Sequence, residues 1–275
     1  MTIQLIAIDI DDTLLTTHHQ ILPSTVNAIQ KALAQGIKIV LCSGRPLAGV
    51  QPYLTQLGIY GPDQYVVTYN GAVVAQVNGE ILVKQLLPKA VYTQLTAFAQ
   101  AHHIPFNVLD EHSTIYTADR NIDFITAVQA VENRAGILVR QPAELPEDFA
   151  IAKGVFVGDK SLLDRVEPAV MATFTQEFSV IRAGTNFLEV MAPGVDKGFA
   201  LAQLAENLAL PASAVMAVGD AGNDLAMFAF AGTAVAMGNG TAIAKAQADH
   251  VTGTNDTGGL AAAIHKFALN PTKES

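Results

Sequence analysis

The sequence is short of cysteine, of basic residues and of long apolar runs. Its 275 residues include one cysteine, Cys42, so no disulfide can form within the chain. No uninterrupted apolar run reaches the roughly 18 residues that a membrane-spanning helix needs. The first ten residues, MTIQLIAIDI, lack the basic segment and the small-residue cleavage site of a signal peptide. From these absences we expect a cytoplasmic chain with no membrane segment.

The small number of basic residues limits the partners that the chain can bind. There are 16 Lys and Arg against 25 Asp and Glu, which gives a formal net charge of −9. The basic residues form no patch of the kind that nucleic-acid-binding proteins use, so we expect no nucleic-acid partner. If the substrate is an anion, the acidic field opposes its approach. The site then needs a cation or a few well-placed basic side chains.

Apolar residues, by contrast, make up 50% of the chain and fall into alternating strands and helices. The run IQLIAIDI is continuous, as expected of a strand that is covered on both faces. Two further strands are predicted in IKIVLCSG and YVVTYNGAVV. A helix is predicted in LPSTVNAIQKALAQGI, with Ser24 as its N-cap, and another in RPLAGVQPYLTQLGI, with Pro46 in its first turn. This alternation predicts an α/β fold with a central parallel sheet.

The middle of the chain has a different pattern. Helices are predicted there in KAVYTQLTAFAQAHH, DFITAVQAVENRA and KSLLDRVEPAVMATFTQEF, and the strands between them alternate apolar with polar residues. Such alternation predicts a sheet with one open face. From about Val190 the first pattern returns, with strands in AVMAVGD and TAVAMG. We therefore expect a first core segment at 1–83, an inserted α+β domain at 84–189 and a second core segment at 190–275.

Acidic residues follow two of the predicted core strands. Asp9 and Asp11 come at the end of the first strand, and they share one of its faces if the strand persists. The stretch VGDAGND supplies Asp220, Asn223 and Asp224 after a later strand. Both clusters belong to the carboxyl edge of a parallel sheet, where such folds bind ligands. Carboxylates converging there predict a hard cation such as Mg²⁺. The alternative for Asp224 is that it caps the next helix.

Two other stretches belong to the same edge. LCSGRP places Ser43, Gly44 and Arg45 ahead of a helix, where a hydroxyl and backbone N–H groups can hold a phosphate group. This signal is weak alone, because any turn from a strand to a helix favours such residues. In PGVDKGF, Lys197 stands at a helix start, where its charge opposes the helix dipole. That position indicates a functional role for Lys197, with a solvated surface lysine as the alternative.

Taken in order, DIDDT, CSGRP, DKG and GDAGND resemble the four motifs of the haloacid dehalogenase (HAD) superfamily. The resemblance continues through YVVTYNGA, FLEVMAPGVDKG and ADHVTGTNDTGGLAAAI, and is greatest to the Cof-type sugar phosphatases. It implies a Rossmann-like HAD core with a central parallel sheet. It also implies an α+β cap domain inserted between the second and third motifs, and the interval from Ser43 to Lys197 leaves room for one.

The resemblance also assigns a role to each motif residue. Asp9 would attack phosphorus and form an aspartyl-phosphate, while Asp11 would protonate the leaving alcohol and later deprotonate water. The implied catalytic residues are Asp9, Asp11, Ser43 and Lys197. The implied substrate-binding residues are Ser43, Gly44, Arg45, Lys197 and Asn223. The implied Mg²⁺ site comprises Asp9, Asp11 through its carbonyl, Asp220 and Asp224.

These roles predict a Mg²⁺-dependent phosphatase of small phosphorylated metabolites, sugar phosphates first. We expect the protein to be a monomer or a homodimer. Two alternatives remain. A phosphomutase uses the same covalent step but returns the phosphoryl group to its substrate, with a cap that keeps water out. A receiver-type signalling module also combines acidic residues, a phosphorylatable Asp, a hydroxyl and a Lys. Receiver modules are about half this size and carry no inserted domain.

Cys42 stands close to Arg45, as in the phosphate-binding loop of cysteine phosphatases. That loop needs a longer interval between its cysteine and its arginine than this sequence has. We therefore expect Cys42 to be a small buried hydrophobic residue without a catalytic role.

Overall fold

The computed structural model describes residues 2–269, so Met1 and residues 270–275 of the predicted core segments lie outside the described residues. The strands are β1 (Leu5–Asp9), β2 (Lys38–Cys42), β3 (Tyr65–Thr68), β4 (Val73–Gln76), β5 (Ile81–Lys84), β6 (Leu87–Pro88), β7 (Phe106–Leu109), β8 (Ile115–Thr117), β9 (Ile137–Val139), β10 (Ala150–Ile151), β11 (Lys153–Val157), β12 (Ser179–Arg182), β13 (Phe187–Met191), β14 (Val215–Gly219), β15 (Thr233–Ala236) and β16 (His250–Val251). The α-helices are α1 (Pro23–Ala34), α2 (Leu47–Leu57), α3 (Lys89–His102), α4 (Phe124–Asn133), α5 (Lys160–Phe174), α6 (Lys197–Asn207), α7 (Leu225–Phe230), α8 (Ala242–Gln247) and α9 (Gly259–Ile264). Among the described residues, no helix is both long enough and apolar enough to span a bilayer.

The described residues group into two compact units. The first unit contains residues 2–43, 51–83 and 196–269, and the second contains residues 44–50 and 84–195. The boundary that the sequence predicted after residue 189 falls inside β13, and the second unit continues to Val195.

The first unit is built on an eight-stranded sheet in the order β16-β15-β14-β1-β2-β3-β4-β5. The strands from β16 to β3 pair in parallel, and β4 runs antiparallel to β3. Every residue of β1 and β14 is buried, which explains their continuous apolar runs. The predicted α/β fold with a central parallel sheet is confirmed.

The register of the three central strands determines which residues meet at the carboxyl edge. Asp9 at the end of β1 is opposite Cys42 at the end of β2, and Ile8 is opposite Val218 in β14. The residues that follow β2 and β14, Ser43 and Asp220, therefore leave the sheet at the same edge as Asp9. This is the edge at which open α/β sheets bind ligands.

The starts of the first two helices differ slightly from the prediction. Helix α1 begins at Pro23 with Leu22 as its N-cap, and Ser24 is not the cap. A proline is well suited to the first helical position because its φ is already helical and its missing N–H would have no partner there. Helix α2 begins at Leu47, so Pro46 precedes the first turn that it was predicted to occupy.

The second unit has a six-stranded sheet in the order β12-β13-β11-β7-β8-β9 and a two-stranded sheet of β10 and β6. The expectation of an open sheet face is wrong at β7 and β11, because every residue of both strands is buried. The polar residue of β7 faces α4, since Asn107 Nδ2 donates to Thr126 Oγ1 at 3.2 Å and to Gln129 Oε1 at 3.0 Å. The alternation therefore comes from buried polar contacts as well as from solvent exposure.

A buried ion pair joins two strands of the second unit. Lys153 of β11 donates to Glu189 of β13, and both side chains are 4% exposed. The same ammonium group donates to the Gly44 carbonyl at 2.8 Å. The pair thus also fixes the short segment 44–50 within the second unit.

Candidate active site

Asp9 lies at the end of β1 and is buried, with 6% of its surface exposed. The chain then leaves the sheet through a tight turn, Ile10–Leu14, in which Asp12 adopts a φ of 60°. Asp11 lies in this turn and is exposed to solvent. The strand therefore does not persist, and Asp9 and Asp11 do not share a strand face.

Lys197 is the first residue of α6 and is completely buried. Its Nζ lies 2.5 Å from Asp9 Oδ1 and 2.7 Å from Asp224 Oδ1. Burial alone would lower the pKa of this lysine, but Asp224 and Asp9 raise it well above its usual value. Lys197 is therefore a permanent buried cation, and the alternative of a surface lysine is wrong.

Asp224 uses both carboxylate oxygens within the site. Oδ1 accepts from Lys197, while Oδ2 accepts the backbone N–H groups of Asp220 at 2.9 Å and Ala221 at 3.0 Å. The side chain makes no capping hydrogen bond to α7. Asp224 thus occupies the N-cap position of α7 but does not cap that helix through its side chain, which instead connects the loop after β14 to Lys197.

Asp220 follows β14 and is anchored by a residue that the sequence did not single out. Its Oδ1 accepts a hydrogen bond from Thr13 Oγ1 at 2.9 Å, and Thr13 is buried. Burial, with repulsion from Asp224, raises the pKa of Asp220 to about 6 despite the Thr13 hydrogen bond. The signal for Thr13 was present in DIDDTLL, where it is a polar residue directly ahead of apolar ones.

The carboxylates form a cluster that suits a hard cation. Ligand oxygens of Asp9, Asp220 and Asp224 all lie within 4.8 Å of one another. Burial raises the pKa of Asp9 well above its usual value, and the neighbouring carboxylates raise it further while Lys197 opposes the shift. One lysine does not balance three carboxylates. A set of oxygen donors with excess negative charge fits Mg²⁺, which would relieve the repulsion.

A second group of contacts in the first unit links Ser43 with Asn223. Ser43 is buried, and its N–H donates to the Val67 carbonyl at 2.9 Å. Its own carbonyl accepts the N–H of Asn70 at 2.9 Å, and Asn70 Oδ1 accepts from Asn223 Nδ2 at 3.3 Å. Asn70 lies within the predicted strand segment YVVTYNGAVV, and the sequence indicated no role for it. The signal available was an Asn-Gly pair between two apolar strands.

Two of the sequence-predicted substrate-binding residues belong to the second unit. Gly44 accepts from Lys153 there, and the Nη1 of Arg45 donates to the Glu132 carbonyl at 3.4 Å. Within the first unit, the structure clusters Asp9, Lys197, Asp220 and Asp224. It also links Ser43 to Asn223 through Asn70.

Comparison with known proteins identifies the family. A family model described as haloacid dehalogenase-like hydrolase matches residues 6–264. The chain belongs to the HAD superfamily. The resemblance drawn from its four motifs is therefore confirmed, and the chain falls in the Cof-type branch.

Relatives of this HAD protein are named as phosphatases. It is 35% identical to the putative phosphatase YxeH of Bacillus subtilis over 97% of this chain and 98% of the relative. A haloacid dehalogenase-like hydrolase from Bacteroides thetaiotaomicron has the same fold, with a TM-score of 0.85, 31% identity and coverage of 96% of this chain and 99% of that one. The HAD subclass IIB sugar phosphatase BT4131 matches with a TM-score of 0.77, 25% identity and coverage of 95% and 97%. The chain is a HAD-type phosphatase, as the sequence predicted.

Proposed function

We propose that this HAD phosphatase hydrolyses small phosphorylated metabolites, sugar phosphates first among them, with Mg²⁺ bound and with Asp9 as the nucleophile. The observation that carries the proposal is the position of Asp9. It is a buried carboxylate at a ligand-binding sheet edge, 2.5 Å from a buried lysine and clustered with two further carboxylates. The similarity to the sugar phosphatase BT4131 supports the choice of substrate class.

In the first proposed step, an oxygen of Asp9 forms a bond to phosphorus while the bond from phosphorus to the substrate oxygen breaks. The leaving oxygen takes a proton from Asp11, which is left as a carboxylate in its solvent-exposed turn. In the second step, Asp11 removes a proton from a water molecule as that water attacks phosphorus. The bond from Asp9 to phosphorus breaks, so phosphate leaves and the Asp9 carboxylate is restored.

The attack of a carboxylate on a phosphate dianion must overcome the repulsion between like charges. Lys197 is already charged and already in contact with Asp9, so it stabilises the added negative charge without reorganising. Asp224 keeps the lysine in place from the other side. We assign Ser43, Gly44, Arg45 and Asn223 to binding the phosphate-bearing substrate.

The residues that would hold Mg²⁺ are Asp9, Asp220 and the carbonyl of Asp11. Both oxygens of Asp224 already accept hydrogen bonds, so we assign it beside the ion, with Lys197 and the loop as its contacts. HAD hydrolases generally use Mg²⁺, which when bound offsets the negative charge of the phosphoryl group.

We further propose that residues 1–83 and 190–275 form the core, that residues 84–189 form the cap, and that the protein acts as a monomer or homodimer.

The test is phosphate release from a panel of phosphorylated metabolites with purified protein and Mg²⁺. We expect hydrolysis of sugar phosphates, complete loss of turnover in Asp9→Asn, and reversible loss on chelation. Asp63→Asn is the control, because Asp63 is also an aspartate of the first unit but is exposed. Full activity in Asp9→Asn would rule out the nucleophile assignment.

The same assay separates the proposed phosphatase from a phosphomutase. With a sugar bisphosphate, a phosphatase accumulates free phosphate, whereas a mutase accumulates the isomeric sugar phosphate.

We also expect Asp11→Asn to lose turnover while keeping Mg²⁺ affinity, because its assigned metal contact is the backbone carbonyl. Loss of Mg²⁺ affinity in that variant would contradict the assignment.

A further inference from the structure

The turn between β3 and β4, Tyr69–Gly71, touches three of the segments that carry the proposed site. The N–H of Asn70 donates to the Ser43 carbonyl at 2.9 Å, and its Oδ1 accepts from Asn223 Nδ2 at 3.3 Å. Gly71 packs against the residue before Lys197, since a Cβ at Gly71 would lie 2.1 Å from the Asp196 carbonyl oxygen. All these residues belong to the first unit.

The backbone of this turn is held in a sparsely populated conformation. Tyr69, Asn70 and Gly71 have φ values of 52°, 53° and 107° in succession. Asparagine and glycine tolerate the left-handed region, but for tyrosine it is an uncommon and costly state. Strain of this kind persists only where the surroundings impose it, and it clusters at functional sites. Asn70 is also 1% exposed, so its amide makes its contacts inside the protein.

We propose that Asn70 is a positioning residue for phosphate binding. This inference rests on the proposed function, in which Ser43 and Asn223 bind the phosphate group. An asparagine side chain can rotate about two bonds, and the contact with Asn70 fixes the direction of the Asn223 amide. The N–H of Asn70 fixes the backbone carbonyl of Ser43, the residue whose side chain binds the phosphate group. Asn70 thus sets the separation between two phosphate-binding groups without contacting the phosphate.

The test is a double-mutant cycle on phosphate affinity, with inorganic phosphate titrated calorimetrically into the Mg²⁺-loaded full chain. Asn70→Gly removes the side-chain acceptor but keeps a residue that accepts positive φ, so the hydrogen bond to Ser43 is retained. We expect Asn70→Gly and Asn223→Ala each to weaken phosphate binding about tenfold, and the double variant to be no weaker than the worse single variant. Asn70→Ala lacks the same acceptor and carries the cycle if Asn70→Gly does not fold.

Kinetics supply a readout that a purely structural role would not produce. In Asn70→Gly we expect KM to rise about tenfold and kcat to change less than about threefold, because the contact between Asp9 and Lys197 does not involve Asn70. Asn78→Gly, in the exposed turn after β4, is the matched control and should leave both constants unchanged.

The outcomes distinguish this inference from the function on which it rests. Additive losses, near a hundredfold in the double variant, would mean that Asn70 does not act through Asn223 and would overturn the inference while the phosphatase proposal stands. An unchanged phosphate affinity in Asn70→Gly would do the same. A wild-type protein that neither binds phosphate nor hydrolyses any phosphate ester would overturn both proposals.

Discussion

Lys197 is a buried cation in contact with two buried carboxylates, and its place at the first position of α6 carries a cost. The helix dipole disfavours positive charge there, and burial disfavours any charge. Asp196 recovers part of the helix stability by accepting the N–H of Phe199 at 2.7 Å. The contacts with Asp224 and Asp9 favour the charged form and raise the pKa of Lys197 despite its burial. A lysine is therefore stable here because the two acids are present, and each acid is tolerated because of the lysine.

Cys42 lies directly beside this acidic site but is chemically inert, because burial disfavours the charged thiolate just as it disfavours any other charge. It is completely buried, and burial raises the pKa of its thiol to about 12, with Asp9 adding to the shift against Lys197. Because the thiolate is the reactive form, its population is negligible at pH 8. The interpretation of Cys42 as a buried hydrophobic residue agrees with its place in β2.

We predict that native protein at pH 8 does not react with a thiol reagent such as dithionitrobenzoate over an hour. Addition of denaturant should release one equivalent of thionitrobenzoate per protein chain, since the sequence holds a single cysteine. Free glutathione in the same buffer is the control for reagent activity. Rapid stoichiometric labelling of the folded protein would show that Cys42 is accessible and would contradict the assignment.

At the scale of secondary structure, the pairing of β11 with β13 places two opposite charges in a buried environment. Lys153 and Glu189 belong to adjacent strands, and Lys153 also holds the Gly44 carbonyl. A buried pair adds little stability beyond a well-packed apolar pair, but removing one member leaves the other as an uncompensated charge. An exposed pair has no such penalty, because water solvates whichever member remains.

We predict that Lys153→Met lowers the free energy of unfolding by about 3–5 kcal/mol. The matched control is Lys160→Met in α5, whose partner Asp164 is four residues away and whose own side chain is 73% exposed. We expect that control to unfold like the wild type. The measurement is urea denaturation followed by circular dichroism, and equal effects of the two substitutions would contradict the argument from burial.

At the scale of the whole molecule, the candidate metal site exists only in the folded chain. Asp9 and Asp220 are far apart in the sequence, and the sheet order β14-β1-β2 brings their strands side by side. An ion that binds this arrangement cannot find it in the unfolded chain. Binding therefore adds to the stability of the native state by mass action.

We predict that Mg²⁺ at a hundred times its dissociation constant adds about 2.7 kcal/mol to the free energy of unfolding of the first unit, and raises its Tm. The shift should disappear with a chelator and return on addition of excess Mg²⁺. Asp220→Asn should abolish it, whereas the exposed Asp63→Asn should not. A shift that persists unchanged in Asp220→Asn would show that the ion binds elsewhere.

Local sequence pattern determined much of the first unit. Continuous apolar runs marked β1, β2 and β14, because a strand covered on both faces needs apolar residues at every position. The motif residues after these strands identified the family, since a strand end fixes the edge at which the next residue emerges. The same local reasoning misjudged β7 and β11, because a polar residue with a buried partner produces the same alternation as one that faces water. The partner of Asn107 in β7 is helix α4, and that of Lys153 in β11 is Glu189 of β13.

Only the tertiary structure decided which of the motif residues touch one another. The contact between Lys197 and Asp9 joins residues 188 positions apart, and the hydrogen bond from Thr13 to Asp220 spans 207. The role of Asn70 likewise depends on two partners that are remote in sequence. The sequence determined the strands, the charges and the family, because those follow from each residue and its near neighbours. Contacts between distant segments follow from the order and register of the strands, which no local pattern contains.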